Sequence, residues 1–532
     1  MTRAQKFQWH LEKGLAEGVR PLPDPAVEAA RDLVAALERR FEVLRTSIDH
    51  VDGELRQHRH DSGAPLVVVE LTVASELETR MAALVEEFRV GRQGRPGGLL
   101  AQFFLLRTAD RGWLGMVADN VAVDAAFHRV INQEISRLLG EPPGDGPSIL
   151  GDEAGIQPFA AAAIEAGTCG ERERDRAAER LRRHFADTPL RMHRRRPPGD
   201  VAEGRYYRRT LEVPGADRLF ARLISATAVL PSALILAAFT QLMCWHNDHD
   251  ACTVNVSVDN RHNRELRLTL CATAQRIPVA LLGTDRLLRA YAQDVQRVLA
   301  DGYPAYGRYD PLDLLAERDR AQRRRGACLT ADLAFNFVPP PQGWTALVED
   351  EREPGPEAES VITGSTTDEV SYEYAASLSV RWADARTGRL SIHGDAEALP
   401  PDDAEALLRG IERGLGRLAA GLDCEPGEIA KEVGLAGRER VDGEARIAGR
   451  WIDPALIAQR LGERDDVARA EVVPHVADGA EPQLVAYVVA APGTTPRPTD
   501  LRAGLLPAVG TGELLIIPDR YEIAGWPESS AG

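Results

Sequence analysis

Lysine is almost missing from this chain: of 64 basic residues only Lys6, Lys13 and Lys431 are lysine, and the rest are arginine. The bias fits a GC-rich genome and marks no binding surface by itself. Aromatic residues are sparse, at 5%. Basic charge is outnumbered by acid, and the net charge of −17 argues against a nucleic-acid polyanion as partner. The six cysteines, at positions 169, 244, 252, 271, 328 and 424, have no C-x-x-C spacing. They read as reduced, mostly buried thiols of a reducing, cytoplasmic compartment. No run of about 18 apolar residues occurs, so no membrane-spanning helix is expected. The first 30 residues carry no apolar export signal. Walker loops, G-x-G-x-x-G units and G-x-S-x-G elbows are also missing, which leaves those nucleotide-binding and hydrolase chemistries unsupported.

At 532 residues the chain should hold more than one core, since single cores stop growing near about 250–300 residues. Its 44% hydrophobic content is ordinary for a globular protein. Leu99 to Leu105 and Trp113 to Ala118 read as two apolar strands joined by a polar turn. After Ala125 the spacing of Phe127, Val130, Ile131, Ile135 and Leu138 is helical. Between strand and helix lies Asp119-Asn120-Val121-Ala122-Val123-Asp124-Ala125. A strand-to-helix turn holds side chains at a rigid edge, where chemistry is often placed.

That heptad resembles the active-site motif His-His-x-x-x-Asp-Gly of the condensation domains of non-ribosomal peptide synthetases. In that family the second His serves the attacking amine and the Asp supports the loop. Here Asp119 and Asn120 stand at the histidine positions, Asp124 is kept and Ala125 replaces the Gly. Other segments agree in order. Arg3-Ala4-Gln5 with Trp9 and Leu11 is similar to the family's opening segment. Leu33, Leu37, Phe41 and Leu44 share one helical face leading into Leu44-Arg45-Thr46, whose Arg45 the resemblance makes a support of the active-site loop. Pro231 to Trp245 resembles the apolar helix opening the second lobe, and Thr253 to Val258, then Asp259-Asn260-Arg261, its next strand and loop. Leu270 to Val279 resembles Gly-Phe-Phe-Val-Asn-Thr-Leu-Pro with Gln275 in place of the Asn, and Ala334 to Phe337 a late Phe-Asn-Phe strand.

The resemblance implies an α/β fold of two chloramphenicol-acetyltransferase-like lobes in a V with a tunnel between them. The expected division is residues 1–165 for the first lobe, 166–205 for a connecting helix and linker, and 206–425 for the second lobe. Residues 438–532 are expected to form a small α+β subdomain. The acidic, Pro- and Gly-bearing stretch Glu349 to Glu359 reads as part of a long loop that also takes in Ser365 to Thr367, before a strand Val370 to Val380. The last hundred residues carry a second resemblance, to the small C-terminal subdomain of adenylation domains. Arg440-Val441-Asp442 matches its hinge, Arg446 to Ile457 its first strand and helix, and Leu514 to Ile517 its last strand. Its terminal catalytic lysine has no counterpart, so ATP-driven adenylation is not expected, and the piece reads as a remnant or docking module.

An amine attacking a thioester must shed a proton, and His, with a pKa of about 6.5, can take it. Asn120 cannot; its amide only orients or polarises. Asp124 and His128 lie four apart on the helix, so they can share a face and His128 could substitute as base. The plain alternative is a packed helix histidine. The cluster His246, Asp248, His249 and Asp250 has some zinc-ligand character but also the composition of a turn. The arginine runs Arg191 to Arg196 and Arg323 to Arg325 read as solvated charge, or as contacts to a phosphopantetheine phosphate or an acidic carrier protein. The leading expectation is a condensation-like component of peptide natural-product, including antibiotic, biosynthesis. It would bind an acyl or peptidyl carrier protein, or recruit a tailoring enzyme or another synthetase module, without His-dependent amide formation. The alternatives are an active non-canonical acyltransferase making an amide or ester, and a degenerate relic. No resident cofactor is expected beyond the carrier's phosphopantetheine arm, and neither a nucleic acid nor a membrane is expected as partner.

Overall fold

The computed structural model describes residues 1–12, 15–52, 54–92, 98–141, 155–195, 204–262, 267–306, 308–340, 359–367, 374–476 and 482–524. The linker at Pro197 to Gly199, the stretch Glu349 to Pro356 and the start of the expected strand Val370 to Val380 lie outside these residues. The chain forms two compact units. One holds residues 1–179, 258–275 and 303–314, and the other holds 180–257, 276–302 and 315–532. Two stretches from the second half of the chain thus belong to the first unit.

In the first unit, β1 (Leu15–Leu22), β4 (Val67–Glu70), β5 (Ala101–Arg107) and β6 (Gly112–Asp119) form a sheet in the order β1-β6-β5-β4. All pairs are antiparallel except β4 with β5. A hairpin of β2 (Thr46–Val51) and β3 (Glu54–Arg59) stands beside it. Side chains alternate across a strand, and β5 and β6 are apolar on both faces. Phe103 and Met116 enter one cluster with Leu37, Phe41, Phe127 and Ile131, while Phe104 and Val117 enter another with Leu84 and Val69. The helix Ala125–Leu138 forms as its spacing predicts. The expected continuous helical face through Leu44 is corrected: the helix Val27–Arg40 stops at Phe41, which is extended at φ −120°, and a 3-10 turn, Glu42–Arg45, follows. Phe41 and Leu44 are still buried, because the tighter turn keeps them pointed at the same core.

In the second unit, β7 (Tyr206–Val213), β8 (Ala251–Asp259), β9 (Ala274–Leu282), β10 (Leu333–Phe337), β11 (Val361–Thr367), β12 (Ala376–Trp382) and β13 (Gly388–Asp395) form one sheet, in the order β11-β7-β13-β12-β10-β8-β9. Residues 258–259 of β8 and 274–275 of β9 belong to the first unit. The helix Pro231–His246 is buried almost all round, as its unbroken apolar sequence requires. It packs on the helices Ala216–Thr227, Pro401–Ala419 and Pro426–Val433. Ser365 to Thr367, expected in a loop, belong to β11, an edge strand paired with β7 from Val361↔Glu212 to Thr367↔Tyr206. The polar run VITGSTT suits an edge and gives little apolar signal.

The C-terminal segment lies in this second unit. Its hairpin, β14 (Ala445–Ile447) and β15 (Arg450–Ile452), turns through Ala448 and Gly449, both at positive φ, 46° and 73°. Such a two-residue turn matches strand twist, and glycine takes the left-handed position without strain. β16 (Val467–His475), β17 (Gln483–Ala490) and β18 (Arg520–Ala524) form a second small sheet. The expected last strand at Leu514 to Ile517 is therefore misplaced. These residues are buried against 326–328, with Cys328 N donating to Leu515 O at 2.8 Å and Ile517 N to Gly326 O at 2.9 Å. Arg450 ties the hairpin down: it is 1% exposed, and its guanidinium donates to Leu190 O and Ala251 O at 2.8 and 2.7 Å. Among the described residues no single helix is long and apolar enough to cross a membrane.

Candidate functional site

The Asp119–Ala125 turn lies in the first unit, between β6 and the helix Ala125–Leu138. Val121, Ala122 and Val123 are buried, which pins the turn to the core and fixes the polar residues around them. Asp119 is structural. Its Oδ1 accepts from Val121 N at 2.8 Å, and its carbonyl accepts from Ala122 N and Val123 N. Ala122 O in turn accepts from Ala272 N at 2.9 Å, joining the turn to the crossover stretch 258–275.

Asp124 is the N-cap of the helix, its Oδ1 accepting from Phe127 N at 2.7 Å. Its Oδ2 accepts from Arg261 Nη1 at 3.0 Å, Thr273 N at 2.7 Å, Thr273 Oγ1 at 3.3 Å and Ala274 N at 3.2 Å. Burial alone would raise the carboxyl's pKa. The Arg261 charge and these hydrogen bonds outweigh that and hold it below the usual carboxylate range. Both oxygens are engaged, so Asp124 supports the turn and is no proton acceptor. Arg261 also donates to Asp259 Oδ1 at 2.9 Å and to Cys271 O at 2.8 Å, which fixes the guanidinium from three sides.

Asn120 is half-buried, and no hydrogen bond to its carboxamide occurs among the described residues. His128 does not meet Asp124 as the four-residue spacing suggests; only its backbone N–H reaches back, to Asp124 O at 2.8 Å. The imidazole packs instead over Gly18 of β1, where a Cβ would overlap Nε2. Burial lowers its pKa, so the ring is neutral at neutral pH.

Arg45 is corrected. Its guanidinium donates to Glu38 O at 3.1 Å and His60 O at 2.6 Å, tying the helix Val27–Arg40 to the end of the β2–β3 hairpin. The cation that holds the turn is Arg261, 137 residues from Asp124, a pairing that local sequence cannot announce. Gln275 acts one step removed. Its Nε2 donates to Tyr309 O at 3.0 Å, and its Oε1 accepts from Asn260 Nδ2, which also donates to Thr273 O. The residues of the histidine-rich turn serve as joints: His246 Nδ1 donates to Ala436 O at 2.6 Å, and Asp248 pairs with Arg440 at 2.8 Å. No group of three or more potential metal ligands occurs among the described residues.

No protein-family model matches the chain, and no curated protein does. Solved structures match it in fold. The first condensation domain of the calcium-dependent antibiotic synthetase, solved with a substrate analogue, aligns at a TM-score of 0.56 and 15% identity, over 80% of this chain and 98% of that one. The X-domain from teicoplanin biosynthesis aligns at 0.55 and 18%, over 80% and 96%. The SgcC5 protein from Streptomyces globisporus aligns at 0.54 and 18%, over 77% and 93%. The fold is that of condensation domains, mixed α/β and chloramphenicol-acetyltransferase-like.

Proposed function

We propose that this chain is a carrier-binding component of non-ribosomal peptide or related natural-product biosynthesis that holds acyl or peptidyl groups tethered to a carrier protein and does not form amides by a histidine base. The observation that carries this reading is the turn itself. It is held by Asp124, which caps the helix and is locked by Arg261, while Asn120 stands where the resemblance puts the base. An amide at that position cannot accept the amine's proton, and loss of a general base typically costs about 10²–10⁴-fold in rate. A framework kept without its base fits binding and presentation, either to a carrier's next partner or to a tailoring enzyme. The fold matches include both condensation domains and an X-domain, and support a place among such systems.

Calorimetric titration with holo carrier proteins of the chain's own pathway tests the reading. Saturable micromolar binding is the expected result; no heat with any of them at high micromolar concentration overturns it. The second reading, a transferase using His128, draws on the neutral ring of that residue. It requires that His128→Ala abolish product formation in a well-folded protein.

A further inference from the structure

The seven-stranded sheet of the second unit ends on β11 at one side and on β9 at the other. A free edge presents a row of backbone N–H and C=O groups ready to pair with another extended chain. Folded proteins guard such edges with charge, proline, bulges, short strands or cover. β9 is guarded twice: it carries Pro278, and Ile277, Val279 and Leu281 are buried. In the first unit, β1 carries Glu17, Arg20 and Pro21, and β4 is four residues long and ends on Glu70. In the C-terminal sheet, β16 carries Arg469, Glu471, Pro474 and a register shift, and β18 carries Arg520 and Glu522.

β11 has none of these devices. Its sequence, Val361 to Thr367, holds no charged residue and no proline. It pairs with β7 over seven successive residues without a bulge, so its outer side is a regular ladder. Among the described residues no strand pairs with that outer side. Thr363, Gly364, Ser365 and Thr366 are all exposed, and at Gly364 the exposed surface is the backbone itself.

We propose that β11 pairs with β11 of a second copy of this chain, antiparallel and centred on Thr363, which joins two seven-stranded sheets into one. Charge selects the copy and the register. Arg208 is exposed, has no ion-pair partner among the described residues and stands on β7 beside Ser365; Glu212 stands on β7 beside Val361, on the same face. Centring on Thr363 sets Ser365 of each copy opposite Val361 of the other, so each Arg208 shares a row with the other copy's Glu212. The two Thr363 side chains meet at the axis, and such threonine pairs are favourable across strands. Centring on Gly364 would instead bring together the two Arg209 guanidinium groups, because Arg209 lies over Gly364. In the proposed register each Arg209 stays with its own Glu405, 2.7 Å away.

Sedimentation velocity of the full chain, from about 1 to about 200 µM, reads the pairing in about 150 mM salt, where long-range repulsion between two acidic chains is screened. The expected result is a reversible dimer with a Kd of about 10–100 µM, since one strand edge is a small interface. Thr363→Lys, which sets two ammonium groups face to face, should weaken association by about tenfold or more. Arg208→Glu and Glu212→Arg should each weaken it about threefold or more. An equimolar mixture of those two variants should associate as the parent does, because every row again holds opposite charges. Thermal unfolding checks that each variant is folded. A parent chain that stays monomeric, a folded Thr363→Lys protein that dimerises like the parent, or a mixture that associates no more tightly than either charge variant overturns the proposal. A monomeric chain that instead binds an extended threonine–valine peptide assigns the edge to another protein's strand and overturns it too.

Discussion

Asp124 and Arg261 decide what the candidate turn can do. The carboxylate serves at once as helix cap, ion-pair partner and acceptor for two backbone N–H groups, so its removal leaves several groups unsatisfied. Asp124→Ala should destabilise the protein by about 3–5 kcal/mol, the cost of breaking a buried pair. Asp124→Asn keeps the cap but turns an NH2 donor toward Arg261, Thr273 N and Ala274 N, so it should also cost several kcal/mol, about the same order. Denaturant unfolding measures both, and equal stability of Asp124→Ala and the parent would contradict the geometry. The pH dependence has a definite sign. A carboxyl depressed in the fold contributes fully above its unfolded pKa of about 3.9 and loses that contribution as pH falls through the folded value below it. Deleting Asp124 should therefore leave the pH slope of stability near neutrality unchanged. The sequence showed this aspartate only through the resemblance, as the residue that supports the loop ahead of a helical pattern. It could not show Arg261, whose role depends on the crossover of 258–275 into the first unit, and it pointed to Arg45 because only order along the chain was visible.

Among the elements, the helix Ala125–Leu138 and strands β5 and β6 were legible because their apolar periods are strong. Edge elements were not. β1 carries Gly18 and Pro21, residues that strands tolerate at an edge. β11 is nearly all polar, and Leu514 to Ile517 looked like a strand because buried apolar runs look alike whether they pair in their own sheet or against a neighbouring segment. The β1–helix packing gives a test through Gly18 and His128. Gly18→Ala puts a methyl into the imidazole and should cost about 1–3 kcal/mol. In the background of His128→Ala that cost should vanish, a coupling that a double-mutant cycle reads directly. Additive effects would show that the ring does not rest on Gly18.

Across the whole molecule, several histidines are held neutral by burial. His184 is pushed down to about 4 and His249 to about 3, and His128 and His246 are lowered as well. A folded pKa below the unfolded value near 6.5 means that the unfolded chain binds more protons once pH drops under 6.5, so stability falls there. Glu38 and Glu165, raised by burial, act in the opposite direction but are fewer. Unfolding midpoints should therefore drop between pH 7.5 and pH 5.5, by about 1 kcal/mol for each fully buried histidine. A midpoint that is constant over this range would mean that these rings are more hydrated than the packing indicates.

The central claim concerns the turn and is tested by a single-turnover assay in which an acylated carrier protein and an amine acceptor are mixed with the chain. Amide formation should run at the uncatalysed rate while the carrier is bound, and should be the same with Asn120→Ala and with His128→Ala. Catalysed turnover that falls by an order of magnitude or more in a well-folded Asn120→Ala protein, with carrier binding intact, would contradict it.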